Sequence, residues 1–199
     1  MEGPPPAPRK ADPPISVPMR RYLRWFGRTG ARLVRHAEAG DAQACLRLWV
    51  ITLLHDRLAE ARDWLHQAAA AGDDEAVRLR THPAPRKAAT ELAYVYATAY
   101  ETEGNKISLA IFFYQLAGRH GHAEAAFQLA AIHAGRGHQW LAATWFSRAA
   151  DAGHPQASGR FTAISGAISG GDLDDDHTML AELAREWRQE HSRWGASTV

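Results

Sequence analysis

Two stretches of this chain, 40–72 and 121–153, are near copies of each other. They align without a gap, and both begin and end with glycine. Each stretch contains two apolar-periodic segments of helical length that are joined by a short turn. A helix pair that recurs with a period of about 30–35 residues is typical of a solenoid, in which each repeat packs on its neighbours. Identical pairs include Ala44 and Ala125, Leu48 and Leu129, Ile51 and Ile132, Ala61 and Ala142, and Trp64 and Trp145. The predicted fold class is therefore all-α, an α-solenoid of antiparallel helix pairs.

The repeats divide the chain into segments. Residues 1–18 hold seven of the ten prolines, which predicts a disordered tail because proline lacks a backbone donor. A basic helix is predicted over 19–38, and a domain of about four repeats over 39–193. The predicted repeats are 40–72, 73–120, 121–152 and 153–193, followed by a tail, 194–199. The last helix, 177–193, carries Ala184 and Trp187 at the spacing of Ala142 and Trp145, and its polar outer face is what a terminal cap requires.

The helix periodicity also predicts which side chains are buried. Residues 41–55 are apolar on most sides, so this helix is expected inside the stack. In the returning helix, 57–71, the predicted inward residues are Ala61, Trp64, Leu65 and Ala68. Repeat two is interrupted by prolines at 81–87, and its pattern is predicted to resume at Ala88. There the alignment matches Ala88, Leu92, Ala93 and Val95 to Ala125, Leu129, Ala130 and Ile132.

Arginines form one face of the helix predicted over 19–38. They recur at spacings of three and four residues, so they share one side of a helix, opposite Leu23, Phe26, Leu33, Val34 and Ala37. Such a face favours binding of nucleic acid, an acidic partner or an anionic membrane surface. The alternative is a solvated face on a helix that caps the stack. The arginines are Arg21, Arg24, Arg28, Arg32 and Arg35.

The repeat pattern, Ala-x-x-x-Leu-Ala followed by turn glycines and Ala-x-x-Trp-Phe-x-x-Ala-Ala-x-x-Gly-His, resembles the Sel-one-like repeat, a relative of the tetratricopeptide repeat. The resemblance covers about residues 40–192 and is strongest in the third repeat. It implies a non-enzymatic adaptor or scaffold that binds a protein or peptide on its concave face, lined by the first helix of each repeat. The motif residues are Ala125, Leu129, Ala130, Gly135, Gly137, Ala142, Trp145, Phe146, Ala149, Ala150, Gly153 and His154. Repeat one departs from the pattern, because Leu54 and Asp56 stand where the turn glycines are expected.

Helix geometry selects the solvent-facing positions of that concave face. The predicted partner-binding residues are Gln43, Arg47, Glu91, Tyr94, Glu124 and Gln128. The competing hypothesis is a regulatory or nucleic-acid-associated protein that uses the arginine face. The inserts at 81–87 and 169–176 break the repeat and are therefore the expected sites of specialisation.

The sequence contains few signals for a metal site or for catalysis. Five of the eleven histidines lie in or beside repeat three, but His122 and His154 occupy a turn position that Asp41 and Asp73 fill elsewhere, so no metal site is predicted. The acidic loop before residue 177 lacks the ligand spacing of a calcium-binding loop. Cys45 is predicted to be a small core residue rather than a nucleophile. No catalytic residue and no cofactor is predicted, so the chain is interpreted as a non-enzyme.

Bulk properties add little about the partner. The net charge of +1 selects no class of ligand, and the single cysteine fits a reducing compartment. The start of the chain lacks the apolar core of a secretory signal, and the longest apolar run is far shorter than a membrane span. A cytoplasmic protein without a transmembrane segment is therefore predicted, and the excess of Arg over Lys is typical of a GC-rich bacterial coding sequence.

Overall fold

The computed structural model describes Leu23, residues 27–104 and residues 106–169. The regular secondary structure of these residues is entirely α-helical, which confirms the predicted all-α class. The predicted tails, 1–18 and 194–199, and the predicted last helix, 177–193, lie outside the described residues. The helices are α1 Gly27–Glu38, α2 Ala42–Leu54, α3 Leu58–Ala70, α4 Asp74–Leu79, α5 Pro85–Thr102, α6 Ile107–Arg119, α7 Ala123–Gly135, α8 Gln139–Asp151 and α9 Ala157–Ser169.

Contacts divide the described helices into two parts, with the division after Ala126, inside α7. In the first part, α2 is the central helix and packs against α1, α3 and α5. In the same part, α3 packs against α4, and α5 packs against α6. In the second part, α8 packs against α9.

The core of the first part is built on α2 and α3. Ten of the thirteen residues of α2 are buried, as expected for a helix that is apolar on most sides. The buried residues of α3 are Ala61, Trp64, Leu65 and Ala68, which confirms the predicted inward set. The small alanines allow close approach of the helices, and Trp64 has no exposed surface. This packing follows directly from the apolar period of the sequence.

The four repeat boundaries share one turn conformation. Each boundary has a glycine in the left-handed region, with φ between 86° and 88°. The residue after the glycine donates its backbone N–H to a carbonyl five residues earlier, at 2.8–3.1 Å. This is the bond that closes a helix C-terminus when a left-handed glycine follows it. The turn glycines are Gly40, Gly72, Gly121 and Gly153.

Repeats one and three also share the turn inside the helix pair. Gly137 is left-handed, with φ 81°, and His138 donates its N–H to the carbonyl of His133. In repeat one, Asp56 takes the glycine position and is left-handed as well, with φ 60°. Arg57 then donates to the carbonyl of Thr52, five residues earlier, so the loop keeps its shape without the expected glycine.

The predicted register of repeat two is wrong by one helical turn. Val95, which the alignment matched to Ile132, is 52% exposed, and Leu92 is only half-buried. Tyrosines instead fill the core positions that leucine and histidine fill in repeat three. The helix also begins at Pro85, three residues before the predicted start, because proline is well suited to the first helical position. The alignment that pairs buried positions with buried positions matches Ala93 with Ala126, Tyr96 with Leu129, Ala97 with Ala130, and Tyr100 with His133.

Candidate partner-binding surface

Gln43, the first of the predicted partner-binding residues, is exposed on α2 and is tied to the next repeat boundary. Its side-chain amide donates to Oδ2 of Asp73 at 2.6 Å. The other oxygen of Asp73 accepts from the backbone N–H of Ala76 at 2.8 Å and caps α4. Asp73 is buried, and both of its oxygens are satisfied, so Gln43 helps to fix the position of the cap.

Arg47 lies one turn further along α2 and is held by aromatic rings of α5. Its guanidinium carbon is 4.9 Å from the ring centroid of Tyr96 and 5.8 Å from that of Tyr100. Its Nε atom is buried and has no hydrogen-bond partner among the described residues. Burial raises the pKa of both phenols, so the rings stay neutral beneath the cation. Cation–π contacts of this kind contribute about 0.5–1 kcal/mol at accessible sites.

Glu91 and Tyr94 of α5 meet at the side chain of His122. The rings of Tyr94 and His122 stack, with centroids 4.4 Å apart. Nε2 of His122 lies 3.2 Å from a carboxylate oxygen of Glu91. The backbone N–H of Ala125 donates to Nδ1 of His122 at 3.1 Å. Since Nδ1 is the acceptor, the ring proton is on Nε2 and points to Glu91.

His122 therefore performs the capping role that Asp41 and Asp73 perform at other boundaries. Asp41 accepts from the backbone N–H of Ala44 at 2.9 Å, at the same position in its helix. The prediction that the histidine belongs to the turn is confirmed. Its contacts with Tyr94 and Glu91 were not predicted, because they join residues that lie in different repeats and far apart in the sequence.

Carboxylates surround the tyrosines on this side of α5. The hydroxyl of Tyr114 donates to Oε2 of Glu101 at 2.6 Å. Burial raises the pKa of Tyr94, and the charges of Glu124 and Glu101 raise it further. The same causes, with the hydrogen bond to Glu101, raise the pKa of Tyr114. We call Glu91, Tyr94, Glu101, Tyr114, His122 and Glu124 the tyrosine–carboxylate cluster.

Sequence reasoning missed Glu101 and Tyr114 as members of this cluster. Glu101 lies two helical turns after Tyr94, on the same face of α5, so helix spacing contained a signal for it. Glu124 and Gln128, which were predicted, are both half-buried on α7. Partner binding at all six predicted positions stays a prediction.

The arginine face is described only in part. Arg32 and Arg35 are exposed on α1, while Leu33, Val34 and Ala37 are buried, as the predicted division of faces requires. Arg21 and Arg24 lie outside the described residues, and so does the side chain of Arg28. All of insert 81–87 is exposed, and Arg86 forms an ion pair with Asp56. Insert 169–176 lies outside the described residues after Ser169.

The remaining candidate groups lie in the core. Cys45 is buried, and burial raises the pKa of its thiol to about 11, as expected for a core residue and not for a thiolate nucleophile. His133 is 7% exposed, its ring nitrogens have no hydrogen-bond partner among the described residues, and burial lowers its pKa to about 4. Its ring centroid is 5.8 Å from that of His138. Within residues 27–104 and 106–169, no three His, Cys, Asp or Glu side chains are grouped to hold a metal ion.

Comparison of the chain with protein-family models, with curated proteins and with solved structures finds no match. Among the helices of the described part of the chain, none has the length and apolar character needed to span a membrane.

Proposed function

We propose that this chain is a non-enzymatic adaptor of the Sel-one-like repeat type, a solenoid of helix pairs that binds a protein or peptide partner on the face of its first helices. The identical turns at Gly40, Gly72, Gly121 and Gly153 support the repeat architecture. The correspondence of buried positions between α5 and α7, in which Tyr96 matches Leu129, supports it as well.

One observation carries the proposed location of the partner. On the first helix of repeat two, the tyrosine–carboxylate cluster places the half-buried ring of Tyr94 beside the exposed carboxylates of Glu91 and Glu101. Aromatic side chains supply much of the binding energy at protein interfaces, and charged groups around them supply specificity. Because carboxylates predominate in the cluster, we expect the partner to present basic residues here. Arg47, on the neighbouring helix α2, offers a contact of opposite charge.

Co-purification from the native host tests the proposal. Tyr94→Ala and Glu91→Lys are expected to remove the partner from the purified complex, because they truncate the aromatic surface and reverse an exposed charge. Asp63→Lys, at an exposed position of α3, is the matched control and is expected to leave the complex intact. Circular dichroism of each variant verifies folding. Retention of the partner by a folded Tyr94→Ala, Glu91→Lys double variant would exclude this surface.

The exposure of Arg32 and Arg35 supports a second candidate, a regulatory or nucleic-acid-associated protein. Binding through phosphates weakens steeply as salt is raised. Titration of single-stranded and duplex nucleic acid at low and high salt tests this function. Loss of binding in an Arg32→Ala, Arg35→Ala variant supports it, whereas no binding of the unmodified chain at low salt excludes it.

A further inference from the structure

A pocket lies between α7, α8 and α9, within the second of the two parts of the described chain. Its volume is about 230 Å³. An apolar cavity of about 150 Å³ is large enough to bind benzene, so this pocket has room for one aromatic ring and a short chain attached to it. Its apolar walls include Phe127, Ala131, Ala134, Phe146 and Ile164.

Repeat two contains the same arrangement of rings around the equivalent place. Tyr94 of α5 stacks on the turn histidine His122, with ring centroids 4.4 Å apart. Phe127 of α7 stacks in the same way on the next turn histidine, His154, with centroids 4.0 Å apart. Tyr94 and Phe127 are therefore equivalent residues, as the alignment of Ala93 with Ala126 requires.

The second helix of each pair adds another ring to this arrangement. Tyr114 of α6 lies 6.1 Å from Tyr94, and Phe146 of α8 lies 5.3 Å from Phe127, measured between ring centroids. In repeat two, the hydroxyl of Tyr114 donates to the carboxylate of Glu101 at 2.6 Å. A carboxylate therefore lies beside the rings in this repeat.

Repeat three lacks both groups of that hydrogen bond. Ala134 stands at the position of Glu101, and Phe146 at that of Tyr114, so these two positions supply neither a carboxylate nor a hydroxyl. Among the described residues that line the pocket, the one charged side chain is that of Arg160, on α9. Arg160 is exposed and forms no ion pair with another described residue. Repeat three thus has a cation, and space, where repeat two has a carboxylate.

The chemistry of the walls selects the class of ligand. A guanidinium binds a carboxylate through two parallel hydrogen bonds, and apolar walls favour an apolar body in proportion to the area that is covered. A peptide segment fits less well. Its backbone N–H groups would be buried without an acceptor among the described side chains that line the pocket.

From these relationships we infer that the pocket binds a small organic acid, a monocarboxylate whose apolar body has the size of one aromatic ring with a short chain. The carboxylate pairs with Arg160, and the body packs against Phe127 and Ile164. This site shares no residue with the tyrosine–carboxylate cluster and needs no protein partner. Either site can therefore be excluded by experiment without the other.

Titration of the full chain with hydrocinnamate, followed by heteronuclear NMR, tests this site. We expect saturable shifts at Phe127, Ala131 and Ile164, with a Kd on the order of 1 mM, as is usual for a ligand of about ten non-hydrogen atoms. Hydrocinnamamide keeps the ring and removes the charge, whereas acetate keeps the charge and removes the ring. Both are expected to bind at least about fivefold more weakly than hydrocinnamate.

Two variants separate the roles of charge and space. Arg160→Gln is expected to weaken hydrocinnamate at least about fivefold and to leave the affinity for hydrocinnamamide unchanged, since only the acid uses the cation. Ala131→Leu is expected to abolish binding of both probes, because it fills the pocket from an exposed position. The matched controls are Arg62→Gln and Ala59→Leu, at exposed positions of α3, and should bind as the unmodified chain does. Circular dichroism verifies that each variant is folded.

Several results would overturn the inference. They are shifts that do not saturate, equal affinity for the acid and the amide, and unchanged affinity for hydrocinnamate in a folded Arg160→Gln. Tighter binding of N-acetylphenylalaninamide, a probe with a peptide backbone, would assign the pocket to a protein segment instead. Nuclear Overhauser contacts between Phe127 and residues 170–199 in the ligand-free chain would assign it to the chain itself.

Discussion

Asp56 and Gly137 occupy the same turn of two different repeats, and both have a left-handed backbone, with φ 60° and 81°. Glycine adopts this conformation without steric cost, and aspartate tolerates it better than most residues because its short side chain bonds locally. The turn is therefore set by the hydrogen bond that follows it, and the residue type only adjusts its stability.

The equivalence of Asp56 and Gly137 predicts which substitutions the turn accepts. Gly137→Asp should lower the free energy of unfolding by no more than about 1 kcal/mol, whereas Gly137→Val should cost about 1–2 kcal/mol more. A Cβ at Gly137 has no neighbour within 4 Å, so the difference comes from the backbone and not from crowding. Urea unfolding measures both values. Equal destabilisation by the two variants would refute the explanation.

The complete burial of Trp64 predicts that the stability of the chain depends strongly on this aromatic side chain. Trp64→Ala should destabilise by about 3–5 kcal/mol, because it empties a completely buried site. That loss is a large share of the roughly 5–15 kcal/mol available to a domain. Trp64→Phe is the matched control, since repeat two carries Phe113 in this position and the indole N–H of Trp64 has no partner among the described residues. Calorimetry should show a cost for Trp64→Phe less than half of that for Trp64→Ala, and comparable costs would contradict the assignment.

The helix cap formed by His122 predicts that two substitutions at this position differ in their effect on stability. His122→Ala removes the acceptor for the N–H of Ala125 and should cost about 1 kcal/mol. His122→Asn keeps a side-chain acceptor and should recover most of that loss, although it cannot stack on Tyr94. Chemical denaturation of the two variants and the unmodified chain provides the comparison. If Asn is no better than Ala, ring stacking and not capping fixes this residue.

His133 predicts a pH dependence of stability. Burial lowers its pKa to about 4 in the folded chain, from an ordinary value of 6.5. Between these values the unfolded chain binds a proton that the folded chain does not, so stability falls as the pH falls from about 6.5 to about 4. One pKa unit corresponds to about 1.4 kcal/mol, so the loss attributable to His133 is on the order of 2–3 kcal/mol.

Repeat one supplies the substitution that tests this pH dependence. Thr52 stands at the position of His133, and its hydroxyl donates to the carbonyl of Leu48 at 2.7 Å. His133→Thr is therefore expected to fold at neutral pH, and its stability is expected to fall less as the pH is lowered. The acid dependence that remains includes the contribution of His55, whose pKa burial also lowers to about 4. His66→Thr, at an exposed position of α3, is the control. Denaturation midpoints at about pH 4.5 and 7, which bracket this titration, give the comparison. If the difference between the two midpoints is the same in His133→Thr as in the unmodified chain, His133 is not the source of the pH dependence.

Helix boundaries and much of the core could be predicted from the sequence because they depend on local period and capping. Asp41 and Asp73 begin helices where predicted, and the buried set of α3 matches residue for residue. The predicted alignment of repeat two was wrong because it paired the alanines and the leucine of α5 with the alanines and the leucine of α7 by residue type. Tyr96 and Tyr100 fill the core there, with Arg47 covering their rings, so amphipathic residues replaced the expected apolar ones.

The candidate surface was harder to predict, since its contacts join distant residues. Helix geometry predicts a solvent-facing side chain for Arg47, but tyrosines of the next repeat cover much of it. Helix geometry predicts Glu91 and Tyr94 as surface residues without relating them, whereas in the structure the turn residue His122 contacts both. Helix period indicates which side of a helix a residue lies on. It carries no information about which neighbour that side meets.

The shared turn at Gly40, Gly72, Gly121 and Gly153 has a consequence for how this chain can change over evolutionary time. Each junction is closed by a hydrogen bond within its own few residues, so it does not depend on the identity of the helices on either side. A recombination event between two such glycines rejoins equivalent backbones and recreates the same closing bond. Gain or loss of a whole helix pair is thus a smaller structural step for this chain than an insertion within a helix.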